Sequence, residues 1–204
     1  MFFCEGESEQ AYTDFLKETF EDVAVIKKPK STGLFEYAKQ KFNNDARYKN
    51  SLEITDEIWF FYDVENKDLN KVESRQKIIN ELRRLRKKPN IRVRLLMTTA
   101  CIEYWLMLHY EYAAPNIQTE AEKINVLKKV LTKEPTYKKG DKNSTFKIAE
   151  RYKTANENAK KVLKNLLSDG LPSLEDTDER NIWLSKSSKT FSTVFEAIEY
   201  LENL

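Results

Sequence analysis

"EIWFFYDVEN", residues 57–66, decides the fold. The run from Ile58 to Tyr62 is aromatic and β-branched without alternation, which suits a strand covered on both faces, as a parallel sheet requires. Polarity switches sharply at Asp63, so the strand ends on two acids and an asparagine. Strand patterns of the same kind, but shorter or weaker, lie at Met1 to Cys4, Val23 to Ile26 and Ile91 to Met97. Between them run helical patterns at Glu7 to Phe20, Leu34 to Phe42 and Lys71 to Lys88, the last crowded at its end by Arg83, Arg84, Arg86, Lys87 and Lys88 and stopped by Pro89-Asn90. Strands alternating with helices of this length predict parallel βαβ units with helices on both faces of the sheet.

After Thr98-Thr99 the pattern turns helical throughout. The expected helices are Ala100 to Tyr112, Glu120 to Leu131, Thr145 to Leu167 and Thr190 to Leu204, with "LSDGLPSLEDTDER" as the strong loop signal before the last. The expected organisation is an α/β core over residues 1–112 and a helical extension over 113–204, packed as one compact unit.

Of 204 residues, 40% are hydrophobic and 33% charged, enough to bury a real core; 4 Gly and 5 Pro favour helices over a turn-rich all-β chain. A formal net charge of +2 does not announce nucleic acid, so any basic surface must come from local clustering. Cys4 and Cys101 show no metal-ligand spacing, which argues against zinc and a disulfide framework and for a reducing compartment. No apolar run approaches the roughly 18 residues of a membrane span, and no signal-peptide layout is seen, so the expected location is the cytoplasm.

Ligands of an open α/β sheet bind at the carboxyl ends of its strands. Glu5 follows the first strand; Asp63 and Glu65 follow the central one, spaced i, i+2 so that an extended chain turns both to one side. Three carboxylates left together would repel, and a divalent cation between them, Mg2+ or Mn2+ with all-oxygen ligands, relieves that. Acids after strands equally serve as caps and turn formers, and Glu7 and Glu9 read most simply as first-turn acids that complement a helix dipole. Lys128, Lys129, Lys133, Lys138, Lys139, Lys142 and Lys147 crowd one region around Tyr137, either as a solvated face or as a phosphate-tracking surface. His109, one helical turn after Trp105, reads as a buried hydrogen-bonded residue or a catalytic one, and Glu103 points about 120° away from it.

"CEGESEQAY", the strand closing in "YDVEN" and "CIEYWLMLHY", followed by "TYKKGD" and "SSKTFSTVFEAIEYL", together resemble the RloB family, Toprim-type proteins of AbiL-like abortive-infection systems that act against phage. The resemblance extends in order over nearly the whole chain. It implies a Toprim-like (Rossmann-like) sheet and a magnesium-dependent nuclease that cuts DNA or RNA as the effector of a prokaryotic antiviral system. By resemblance Glu5 takes the role of the first acid and Asp63 and Glu65 that of an Asp-x-Asp element, with Glu65 a departure from the second Asp. "TTA" at 98–100 departs from the family's Asn-Pro turn. On this reading Glu103 is a further ligand or water-orienting base and Lys139 offsets charge on the scissile phosphate, while Lys138, Lys142, Lys128 and Lys129 track the backbone; Glu9 and His109 are further possible site residues. The resemblance also implies an ATPase encoded alongside, since no G-x-x-x-x-G-K loop is present. A homo-oligomer is also compatible with the sequence. The rival is a non-catalytic nucleic-acid-binding or scaffolding subunit of such a complex.

Overall fold

A computed structural model describes residues 1–20, 25–27, 33–53, 55–86 and 90–204. The chain begins with β1 (Phe2–Cys4), α1 (Glu7–Thr19), β2 (Val25–Lys27), α2 (Leu34–Asn44) and α3 (Ala46–Asn50). It continues through β3 (Glu57–Val64), α4 (Val72–Arg83), β4 (Arg92–Thr99) and α5 (Ile102–Leu108). The described strands form one sheet in the order β2-β1-β3-β4, every pair parallel. The expected strand at Val23 to Ile26 begins outside the described residues, as do Lys87, Lys88 and Pro89 at the end of the expected third helix.

Alternation along β3 gives each face its own cover. Phe60 and Tyr62 meet Phe35 of α2, with ring centroids 4.2 and 5.4 Å away. Phe61, on the opposite face, meets Tyr12 of α1, which in turn packs edge-on against Trp105 of α5. Both faces being apolar, β3 has no need of an alternating pattern. The order 2-1-3-4 also reverses direction between β1 and β3, and this is the switch point where a doubly wound sheet opens a crevice.

The second half comprises α6 (Glu120–Lys133), α7 (Lys142–Ala149), α8 (Tyr152–Asn165), α9 (Asp178–Lys186) and α10 (Phe195–Glu202). It packs back on the first: α6 and α8 lie against α5, and α7 against α1. Three expectations are corrected. The helix expected over Thr145 to Leu167 is two, α7 and α8, joined by Glu150 and Arg151. The helix expected from Thr190 begins only at Phe195, because Phe191 to Thr193 pair antiparallel with the edge strand β4: Thr193 N–H donates to Met97 O at 2.9 Å, and Thr99 N–H to Phe191 O at 3.0 Å. Helices α4 and α5 are shorter than expected, α4 starting at Val72 after a 3-10 turn over Asn66–Lys71, and α5 running only from Ile102 to Leu108. Among the described residues no helix is long and apolar enough to cross a membrane.

Candidate acid cluster at the switch point

Asp63 shares the α1/α5 face of β3 with Phe61, two residues earlier, so its carboxylate is aimed between those two helices. Its Oδ1 is shut off from solvent and has no hydrogen-bond partner among the described residues. Glu5 extends the β1 ladder by one hydrogen bond, its N–H donating to Phe61 O at 3.0 Å, and also borders a cavity of about 210 Å³ that Lys71 and Arg75 help to line.

Glu9 is the third residue of α1 and folds back on Gly6, the N-cap, accepting from the backbone N–H groups of Gly6 and of Glu9 itself. This is the acid half of a capping box. Gly6 permits it, because a Cβ there would stand 2.7 Å from Glu9 Oε2. Glu103, in the first turn of α5, is buried and accepts from Tyr137 Oη at 3.1 Å, with Lys139 Nζ 3.4 Å from the same oxygen. Tyr137 and Lys139 reach it from the loop before α7. That loop closes onto α1 at Gly140, whose φ of +75° favours glycine and whose absent Cβ would lie 2.9 Å from Glu7 Cβ.

The electrostatics follow from this crowding. Burial, then the Glu9, Glu103 and Glu5 charges, push the Asp63 carboxyl well above its ordinary range. Burial raises Glu9 to about 7, with Glu5 adding to the rise and the two backbone N–H groups opposing it. The Cys101 thiol is pushed up to about 12 by burial and by Glu103 and Asp63. Burial would depress the Lys139 ammonium, but Glu103 and Asp63 outweigh it and raise it. Asp63, Glu9 and Glu103 thus share Lys139, while Glu5 adds its charge to Asp63 and Glu9 from beside the cavity that Lys71 and Arg75 line; carboxylates crowded in this way favour protons or a cation.

Not every residue singled out in the sequence joins this cluster. Glu65 was expected beside Asp63, but the ladder ends at Val64 and the chain turns into the 3-10 segment. Lys123 Nζ holds Glu65 Oε1 at 2.6 Å, and Lys67 holds Oε2. Those hydrogen bonds, against the opposing effect of burial, keep the Glu65 carboxyl below its ordinary value. Lys142 pairs with Glu18 and Lys129 with Glu111, the latter at 3.1 Å. Lys128 lies exposed on α6, and the Lys138 backbone N–H donates to Ser144 Oγ. Of the expected phosphate-tracking lysines only Lys139 reaches the acids.

His109 lies in the core. Its Nδ1 donates to Trp105 O at 2.9 Å, so Nε2 accepts from Tyr12 Oη at 3.1 Å, and burial lowers its pKa to about 3. It is a neutral structural residue, and the catalytic alternative is set aside. Tyr137 and Lys123 carry little signal in the sequence. Tyr137 sits two residues before Lys139, and i, i+2 spacing in a loop was the available signal; Lys123 lies 58 residues from Glu65 and carried none.

Among the described residues no three acid, cysteine or histidine side chains stand close enough together to hold a metal ion as placed. The donor chemistry nonetheless suits a hard divalent cation: oxygen donors only, mutually repelling, one of them an orphaned buried oxygen on Asp63. Asp63, Glu5, Glu9 and Glu103 are the residues that would hold it. No curated protein and no solved structure matches the chain significantly. The family model of RloB-like proteins matches residues 1–201, essentially the whole chain, and the chain therefore belongs to the RloB-like protein family.

Proposed function

We propose that the chain is a metal-dependent nuclease of Toprim type that cuts phosphodiester bonds in DNA or RNA at the cluster of Glu5, Glu9, Asp63 and Glu103. The observation that carries this reading is the Asp63 Oδ1, buried without a hydrogen-bond partner among the described residues, on a carboxyl raised by burial and by the charges of Glu9, Glu103 and Glu5. When bound, Mg2+ or Mn2+ would supply Lewis acidity and a low-pKa water. Lys139 stands beside the acids with a charge to set against the developing phosphorane oxygens. Glu9, raised to about 7, suits a group that accepts a proton at neutral pH. Glu103, oriented by Tyr137 and Lys139, is the residue to position the attacking water. A role as an antiviral effector working with an ATPase, in the cytoplasm, rests on the family resemblance alone.

A second reading, a nucleic-acid-binding subunit without catalysis, is favoured by the capture of Glu65 by Lys67 and Lys123. Cleavage assays separate the two. Single- and double-stranded DNA, messenger-like RNA and transfer RNA would be incubated with Mg2+, Mn2+ or chelator, with and without the neighbouring ATPase. The nuclease reading expects metal-dependent cutting that Asp63→Asn abolishes while nucleic-acid binding persists. It also expects Lys139→Ala to impair cutting far more than binding, and Lys128→Ala to change only salt-dependent affinity. No cutting under any condition, with binding indifferent to Asp63→Asn, would leave the binding subunit.

A further inference from the structure

A second polar centre lies at the same carboxyl edge, between β3 and β4. It is a cavity of about 200 Å³ lined by Ile117 and Leu184 and by the charged Glu65, Glu120, Lys67, Lys123 and Lys189. Two details set it apart from an ordinary surface hollow. Ala100, with φ of 66°, and Ser188, with φ of 53°, are the non-glycine residues in left-handed backbone among the described residues, and both line it. Strain of this kind gathers at ligand sites. Second, two ammonium groups grip the two oxygens of one carboxylate, Lys123 on Oε1 and Lys67 on Oε2 of Glu65.

The walls are held in place. Asn66 Nδ2 donates to Gln118 Oε1 at 2.6 Å and Gln118 Nε2 to Ser188 O at 2.8 Å, tying three separate segments together. Lys123 is steadied by Glu120 at 2.9 Å, and Lys189 on the rim pairs with Asp169 at 3.0 Å. A carboxylate clasped by two lysines in a preorganised cavity occupies the position that two non-bridging phosphate oxygens would take.

We propose that this cavity is a phosphate-binding site, taking the phosphate of a nucleotide or of a nucleic-acid backbone, and that Glu65 is its internal occupant, displaced when phosphate enters. Glu65 is then a competitor. Removing its charge releases Lys67 and leaves Lys123 with Glu120 alone, whereas removing a lysine weakens the clasp. The site stands independently of the acid cluster and needs no metal.

Calorimetric titrations in chelator test it, with inorganic phosphate, a nucleoside monophosphate and a short oligonucleotide as probes. Glu65→Gln is expected to bind several-fold more tightly than the wild type, and Lys123→Gln and Lys67→Gln about tenfold more weakly. Binding of the small probes marks a site for free phosphate or nucleotide; binding of the oligonucleotide alone marks a backbone site. Melting curves of each variant exclude misfolding, and Lys67, whose side chain is 74% exposed, is the variant least able to disturb the fold. Glu65→Gln binding no better than the wild type, or both lysine variants binding equally well, overturns the proposal. Since metal is absent throughout, neither outcome bears on cleavage at the acid cluster.

Discussion

Asp63 enters the acid cluster because β3 alternates, and that much is legible in "EIWFFYDVEN": the polarity switch marks the strand end, and the parallel pattern brings Glu5 beside it. Glu65 departs from this pattern for a physical reason: i, i+2 spacing turns two side chains to one side only while the chain stays extended, and Glu65 is captured by Lys67 and by Lys123 of α6. Glu9 looked like a dipole acid and does cap α1, yet the same carboxylate belongs to the cluster. These charges have a measurable cost. Because the folded chain raises Glu9 from 4.5 to about 7, it binds that proton more tightly than the unfolded chain does. The associated stability is complete below about pH 4.5 and is lost as pH rises to about 7, on the order of 3 kcal/mol. Asp63 shifts in the same direction. Urea midpoints of metal-free protein should therefore fall across that window. Asp63→Asn should flatten the fall and stabilise the protein at neutral pH by about 1–2 kcal/mol; an unchanged pH profile would show that Asp63 takes no part in this proton uptake. Gly140→Ala, strained at its φ of +75° and in collision with Glu7, should cost about 1–3 kcal/mol and loosen Lys139 from Glu103. Equal stability in that variant would mean that the loop closes differently.

At the level of elements, α1, α2 and α6 follow their apolar spacing closely. The segment at 190–194 does not, since "TFSTV" supports either a helix start or an extended strip, and the choice falls to tertiary pairing. Edge strand β4 offers unpaired groups, and Thr193 satisfies them doubly: its Oγ1 donates to Leu95 O and accepts from Met97 N–H, both at 2.9 Å. Covering an edge in this way also blocks pairing with other chains. Thr193→Val keeps the shape and removes both bonds, so denaturant midpoints should register a loss of about 1–3 kcal/mol; a neutral substitution would show that the strip is held by Phe191 and Val194 alone. Helix α9 carries little periodic signal because its first turn falls in the loop stretch and "DERNIWLSK" buries Arg180 and Asn181 along with the apolar Leu184.

Across the whole molecule, one hydrophobic core draws on both halves of the chain, and a second polar network clamps them at the end of the sheet opposite the acids. Arg180, fully buried, donates to Glu196, Asp176, Asn181 and the Leu174 carbonyl, while Arg94 at the start of β4 joins Asp176 to Glu57. Asp176 and Arg180 stand at i, i+4 spacing, but the bonds of Arg94 to Asp176 and Glu57 join distant segments and leave no trace in local spacing. Removing one member strands its buried partners, so Arg180→Ala should destabilise by about 3–5 kcal/mol in thermal or chemical melts. A loss under about 1 kcal/mol would mean the network is not needed to dock the helices. This clamp leaves the carboxyl edge of the sheet to the acids and lysines, where a cation site is proposed. Mg2+ titration by calorimetry at about pH 6.5, in two buffers of different ionisation enthalpy, tests it most directly, because a cation entering protonated carboxyls must expel protons. Binding with net proton release, smaller at about pH 8.5 and absent in Asp63→Asn, is the expected result. No binding, or binding without proton release that Asp63→Asn leaves intact, would contradict it.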